Sequence, residues 1–127
     1  IRTSERLQLD LEMEFEMVTA RQFEMDRQLD LGKGDYAKLS GIIKDMSAGG
    51  IKVQLKELPS DGIKREDVFL FHLPYASLRK KLAVSVLDVV SHEGLNDIHC
   101  EFRDVDMLTR MKLNQYLHRR KLSMEAA

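Results

Sequence analysis

At 127 residues, with 43% hydrophobic and 32% charged content, the chain has the composition of one globular domain, with a core that needs no disulfides and no room for a comfortable second domain. A formal net charge of −1 removes any overall bias toward nucleic acid or an anionic membrane. The single cysteine, Cys100, excludes an internal disulfide framework. No apolar run nears the roughly 18 residues of a membrane span, and no signal-peptide pattern is present, so a cytoplasmic protein is expected.

In chain order, the first element is "LQLDLEMEFEM", residues 7–17. Leu7, Leu9, Leu11, Met13, Phe15 and Met17 alternate with polar residues, which predicts a long, half-buried antiparallel strand. Asp10, Glu12, Glu14 and Glu16 fall on its solvent side. Residues 18–37 have no clear period and are compatible with a ragged strand or a helical turn, with "GKGD" (residues 32–35) marking a turn. Further strands are predicted at residues 38–44, 51–56, 68–73, 81–91 and 95–103. "AGG", "PSDG", "LPYAS" and "HEG" separate them, and "HEGLND" is read as a hairpin loop.

After Arg103 the pattern changes to "MLTRMKLNQYLHRRKL", which lacks Gly and Pro. Leu108, Met111, Tyr116 and Leu117 recur at loosely helical spacing, and Asp104 or Asp106 is suited to cap the helix start. Arg119, Arg120 and Lys121 fall near its other end, where cations are favoured. About six short antiparallel strands followed by one helix point to a small barrel.

Two short patterns stand out. "DMSAGG" places Asp45, Ser47 and Gly50 as D-x-S-x-x-G between two strands. Read as a plain turn, Asp and Ser bond local backbone and the glycines adopt positive φ. "RTSER" places Arg2 and Arg6 as R-x-x-x-R just before the first strand. Alone, such a spacing is common and describes a solvated arginine pair. The combination is more telling than either half.

R-x-x-x-R, then a strand, then D-x-S-x-x-G in a turn resembles the signature of the PilZ domain. "GGIKV", "VFLFHLP", "LAVSVLDVV" and "IHCEFRDVD" also resemble PilZ strand blocks in order, so the likeness covers most of the chain. The resemblance implies a mainly β fold, a six-stranded antiparallel barrel with a C-terminal α-helix. It also implies binding of cyclic di-GMP, a bacterial second messenger. The domain would comprise a flexible ligand-binding arm at 1–6, the barrel at 7–103 and the helix at 104–122. Because the sequence begins at Ile1 rather than Met, it is read as one that can have been cut from a longer protein.

The implied ligand-binding residues are Arg2, Arg6, Asp45, Ser47 and Gly50. Arginine's planar fork matches guanine O6 and N7, and also phosphate oxygens. Asp45 would accept from guanine N–H groups, Ser47 would bond the base or a phosphate, and Gly50 would let the backbone approach the ligand. Ile1 stands where many family members carry a further arginine, which tilts the expectation toward one bound ligand rather than a stacked pair. The interval from Arg6 to Asp45 is long for the family, because of residues 18–37.

No enzyme, cofactor or metal site is expected. His72, His92, His99 and His118 lie on different elements, and "HC" at His99–Cys100 has no ligand-type partner spacing. Strand alternation puts Cys100 in the core and His99 at the surface. Met13, Met17, Met107 and Met111 fit core packing. The "HRRK" run at 118–121 is a solvated helix end or a docking face for a protein partner. A downstream partner or attached domain is expected, and no nucleic acid, since the carboxylates of the first strand contradict a basic stacking surface. The rival to a receptor is a PilZ-like adaptor that acts through protein contacts without nucleotide.

Overall fold

The computed structural model describes residues 6–26, 36–73 and 81–126, with side chains as far as Met124. The turns expected at "GKGD" and within "LPYAS", from Pro74 on, lie outside the described residues, as does Arg2. The strands are β1 (Leu7–Val18), β2 (Ala37–Met46), β3 (Gly50–Leu55), β4 (Val68–Phe71), β5 (Leu82–His92) and β6 (Leu95–Arg103). They close into an antiparallel barrel in the order β1-β2-β3-β6-β5-β4. Closure leaves no open sheet edge among these strands.

The alternation in β1 works as expected at its start, where Leu7 and Leu9 are buried and Gln8 and Asp10 exposed. Phe15 is fully buried against Phe69 and Phe71 of β4, with ring centroids 5.8 and 5.4 Å away. Such tilted aromatic packing adds to simple area burial. Around these rings lie Ile43, Met46, Val53, Leu55, Val84, Val86 and Ile98. The acidic stripe of β1 is matched by lysines of β2 and by the lysine just before β5. Asp10 pairs with Lys44, Glu16 with Lys81, and Glu14 lies 3.9 Å from Lys38.

The segment without a clear period contains α1 (Ala20–Asp26). Thr19 caps it, its Oγ1 accepting from Gln22 N at 3.1 Å. Phe23 is its buried residue and joins Val18, Val68, Leu70 and Ala83 in a second apolar cluster. This explains why β4 is buried throughout. Phe69 and Phe71 face the barrel interior, while Val68 and Leu70 contribute to the cluster with α1.

The hairpin joining β5 and β6 is tighter than expected. His92 pairs with Leu95 across Glu93 and Gly94, both at positive φ (50° and 77°), so "LND" already belongs to β6. Positive φ at both central residues is the hairpin turn whose twist suits the flanking strands.

The C-terminal helix, α2 (Met107–Ala126), is capped by Asp106, whose Oδ1 accepts from Thr109 N at 2.7 Å. Its buried face runs through Thr109, Leu113, Tyr116 and Leu117, the last three in the barrel's own core cluster. Two expectations are corrected here. Of the four residues at helical spacing, Tyr116 and Leu117 are buried but Leu108 and Met111 are 61% and 53% exposed, and neither Met111 nor Met107, at 81%, is a core residue. Apolar residues occur on both sides of this helix, and its spacing alone does not choose between them. Met13 and Met17 do pack against the core.

Candidate ligand site

Asp45 lies near the end of β2, where both neighbouring strands are in register with it. Gln8 of β1 pairs with Asp45, and Asp45 pairs with Lys52 of β3. Directly paired residues project to the same side of a sheet. Irregularities in both pairings fall beside this point, between Gln8 and Leu11 and between Ile43 and Asp45. Such irregularities re-aim side chains.

The turn after Asp45 is tied down from three directions. Ser47 N donates to Gly50 O at 2.9 Å, and Ser47 Oγ accepts from Gly49 N at 3.2 Å. Phe102 N donates to Gly49 O at 3.0 Å, and Arg110 Nη1 of α2 donates to Ala48 O at 3.2 Å. The turn therefore belongs to the barrel frame and to α2 at once.

Its glycines do not have the conformation expected of them. Among the described glycines only Gly62 and Gly94 adopt positive φ. Gly50 is needed for proximity instead. A Cβ there would lie 2.1 Å from the Cys100 carbonyl oxygen, inside any tolerable contact. The missing side chain thus admits the backbone of β6, a reason internal to the fold.

Arg6 immediately precedes β1, and its Nε lies 3.1 Å from Asp45 Oδ1. The arginine side chain is 64% exposed and that of Asp45 12%. Oδ1 is itself buried and makes no hydrogen bond, because the Arg6 N–H is not aligned on it. One member of each sequence pattern is thus in contact. Ser47 lies two residues further along, in the turn, and Arg2 is outside the described residues.

A cleft of about 530 Å³ opens beside this point, within the ordinary range of roughly 300–1,000 Å³ for small-molecule sites. Gln8, Asp10, Lys44, Asp45 and Lys52 form its strand wall, and Arg120 of α2 faces them. A larger depression, about 800 Å³, lies elsewhere and is bordered by Glu12, Glu14 and Glu57 together with Lys38 and Lys56, without any of the motif residues. Sequence reasoning did not bring Lys52 and Arg120 to this place. Lys52 follows the turn directly and was within reach of a register argument, whereas nothing in the spacing of "HRRK" pointed here.

Cys100 is buried, and burial pushes its thiol up to about 12. It is thus no thiolate nucleophile at neutral pH. His99 is exposed, as alternation required. Among the described residues no three His, Cys, Asp or Glu side chains gather as a metal site. No helix among them is long and apolar enough to cross a membrane.

The PilZ domain family model matches residues 2–119. This chain belongs to the PilZ family. Solved PilZ-type structures share its fold at low identity. The PilZ domain of YcgR from Escherichia coli with c-di-GMP aligns at 12% identity and a TM-score of 0.64, covering 98% of this chain and 96% of that one. The K. pneumonia MrkH–c-di-GMP complex aligns at 14% and 0.68, covering 99% of this chain and 55% of that one. The Bacillus subtilis inhibitor of motility, MotI/DgrA, aligns at 15% and 0.62, covering 97% and 52%. The PilZ chain described here thus spans about half the length of the latter two. Comparison with curated proteins yields no sequence match.

Proposed function

We propose that this PilZ domain is a bacterial, cytoplasmic, non-enzymatic receptor for cyclic di-GMP, held between the Arg2–Arg6 arm and the Asp45–Ser47–Gly50 turn. The observation that carries this reading is the contact of Arg6 with Asp45 on the barrel surface. Only the arginine of this pair is exposed, and its N–H is not aligned on Oδ1, so no hydrogen bond holds the two together and a ligand can take both partners from each other. Asp45 Oδ1, lacking a hydrogen bond, is then free to accept the N–H groups of a guanine edge. Arg6 turns its fork to a guanine or a phosphate. The fixed turn and the arm are bridged by ligand, and the arm's new position is the signal passed to a partner or attached domain. The c-di-GMP complexes among the structural neighbours support the ligand class.

Calorimetric titration of the full-length protein, with any residues that precede Ile1, tests this. Saturable binding of cyclic di-GMP is expected, with Arg6→Ala and Asp45→Ala each weakening it about tenfold to a hundredfold. The adaptor reading draws on the exposed Leu108, Met111 and Leu122 of α2 as a protein-contact face. It predicts no binding by the wild type and indifference of the partner to both substitutions.

A further inference from the structure

The cleft beside Asp45 contains more positive charge than its own contacts use. Lys44 is occupied, its Nζ bonded to Asp10. Asp45 is matched by Arg6. That leaves Lys52 and Arg120. Among the described residues Lys52 makes no ion pair or hydrogen bond, and acts on Asp97 only through its field. The Nε of Arg120 is buried and has no hydrogen-bond partner. Leaving a buried N–H unmet is unfavourable by about 1–3 kcal/mol, more for a charged group, so the position is set for an acceptor that arrives from outside.

We infer that this cleft is an oxyanion subsite in which Lys52 and Arg120 hold one phosphodiester of the bound cyclic dinucleotide. The inference rests on the receptor function proposed above and adds two residues to it. The register makes the placement specific. Lys52 is the direct cross-strand neighbour of Asp45, so a ligand with its guanine on Asp45 has its backbone over β3. Arg120 approaches from α2 on the opposite wall. An arginine fork and a lysine point charge on either side of a phosphate divide its oxygens between them. α2 thereby becomes part of the ligand site, as well as the plug of the barrel.

The test is titration of cyclic di-GMP into full-length wild type, Lys52→Gln, Arg120→Gln, Arg120→Lys and the control Lys56→Gln, at low and raised salt. Each Gln variant in the cleft is expected to bind about tenfold more weakly or worse, with a shallower loss of affinity as salt rises. Arg120→Lys recovers part of the affinity, and Lys56→Gln binds as wild type. Folded Lys52→Gln and Arg120→Gln proteins with wild-type affinity and salt response overturn the subsite while leaving the receptor function standing. A wild type that binds no cyclic di-GMP overturns both. Lys52 projects from the outer face of β3, so if Arg120→Gln lowers the urea midpoint, Lys52→Gln decides alone.

Discussion

Gly50 shows how the fold itself can require a motif residue. It starts β3 and pairs with Glu101 of β6, so close that a Cβ would strike the Cys100 carbonyl. Backbone on both sides cannot yield as a flexible side chain can. Gly50→Ala is therefore expected to destabilise the protein by about 2 kcal/mol or more, measured as a lower urea midpoint. Any loss of ligand binding in that variant follows from a displaced turn. Asp45 is the contrasting case, since it is buried yet its Oδ1 accepts no hydrogen bond and meets only the exposed Arg6. The residue types of the motif were legible in the sequence. The reason for Gly50 was not, because it lies in a strand half a chain away.

At the scale of elements, α1 and α2 show where periodicity stops being informative. α1 is a seven-residue helix whose burial depends on one side chain, Phe23. Arg103 of β6 holds it in place, its guanidinium 5.1 Å above the Phe23 ring, with Nη2 bonded to Glu24 at 2.7 Å and Nη1 donating to Ser85 at 3.3 Å. Phe23→Ala empties the cluster over β4 and removes the ring under Arg103. A loss of about 3–5 kcal/mol is expected in chemical denaturation. A helix this short has too few turns for a repeating pattern to emerge from its sequence. α2 is long enough, but it has apolar residues on two faces. Packing of Leu113, Tyr116 and Leu117 into the barrel selects one of them.

For the whole molecule, hydrogen-bonded carboxylates and one buried thiol make stability depend on pH. Gln22 and Tyr36 hold the Asp26 carboxyl below its ordinary value, and His92 does the same for Asp97. The stability that comes from a depressed folded value is fully present above pH 3.8 and is lost below it, as pH falls through the lower folded value. Tyr36, which donates to Asp26 at 2.5 Å, is pushed up to about 12 by that bond, and Cys100 to about 12 by burial. Their contributions are present below the ordinary values of 10 and 9 and are lost as pH rises toward 12. Urea melts across pH should therefore give a plateau that declines on both sides, below about pH 4 and above about pH 9. Tyr36→Phe should shallow both limbs, since one hydrogen bond links the two shifts.

The sequence by itself determined the strands, the C-terminal helix and the family pattern, because alternation, turn residues and short motifs are written in near neighbours. It also placed Cys100 inward and His99 outward, a parity that follows from one strand alone. Only the tertiary structure decided that β1, β2 and β3 line up Gln8, Asp45 and Lys52. It alone decided that Arg6 meets Asp45 and that Arg120 faces the same cleft. Those adjacencies depend on register, strand irregularities and barrel closure, and these are settled by packing between segments far apart in the chain.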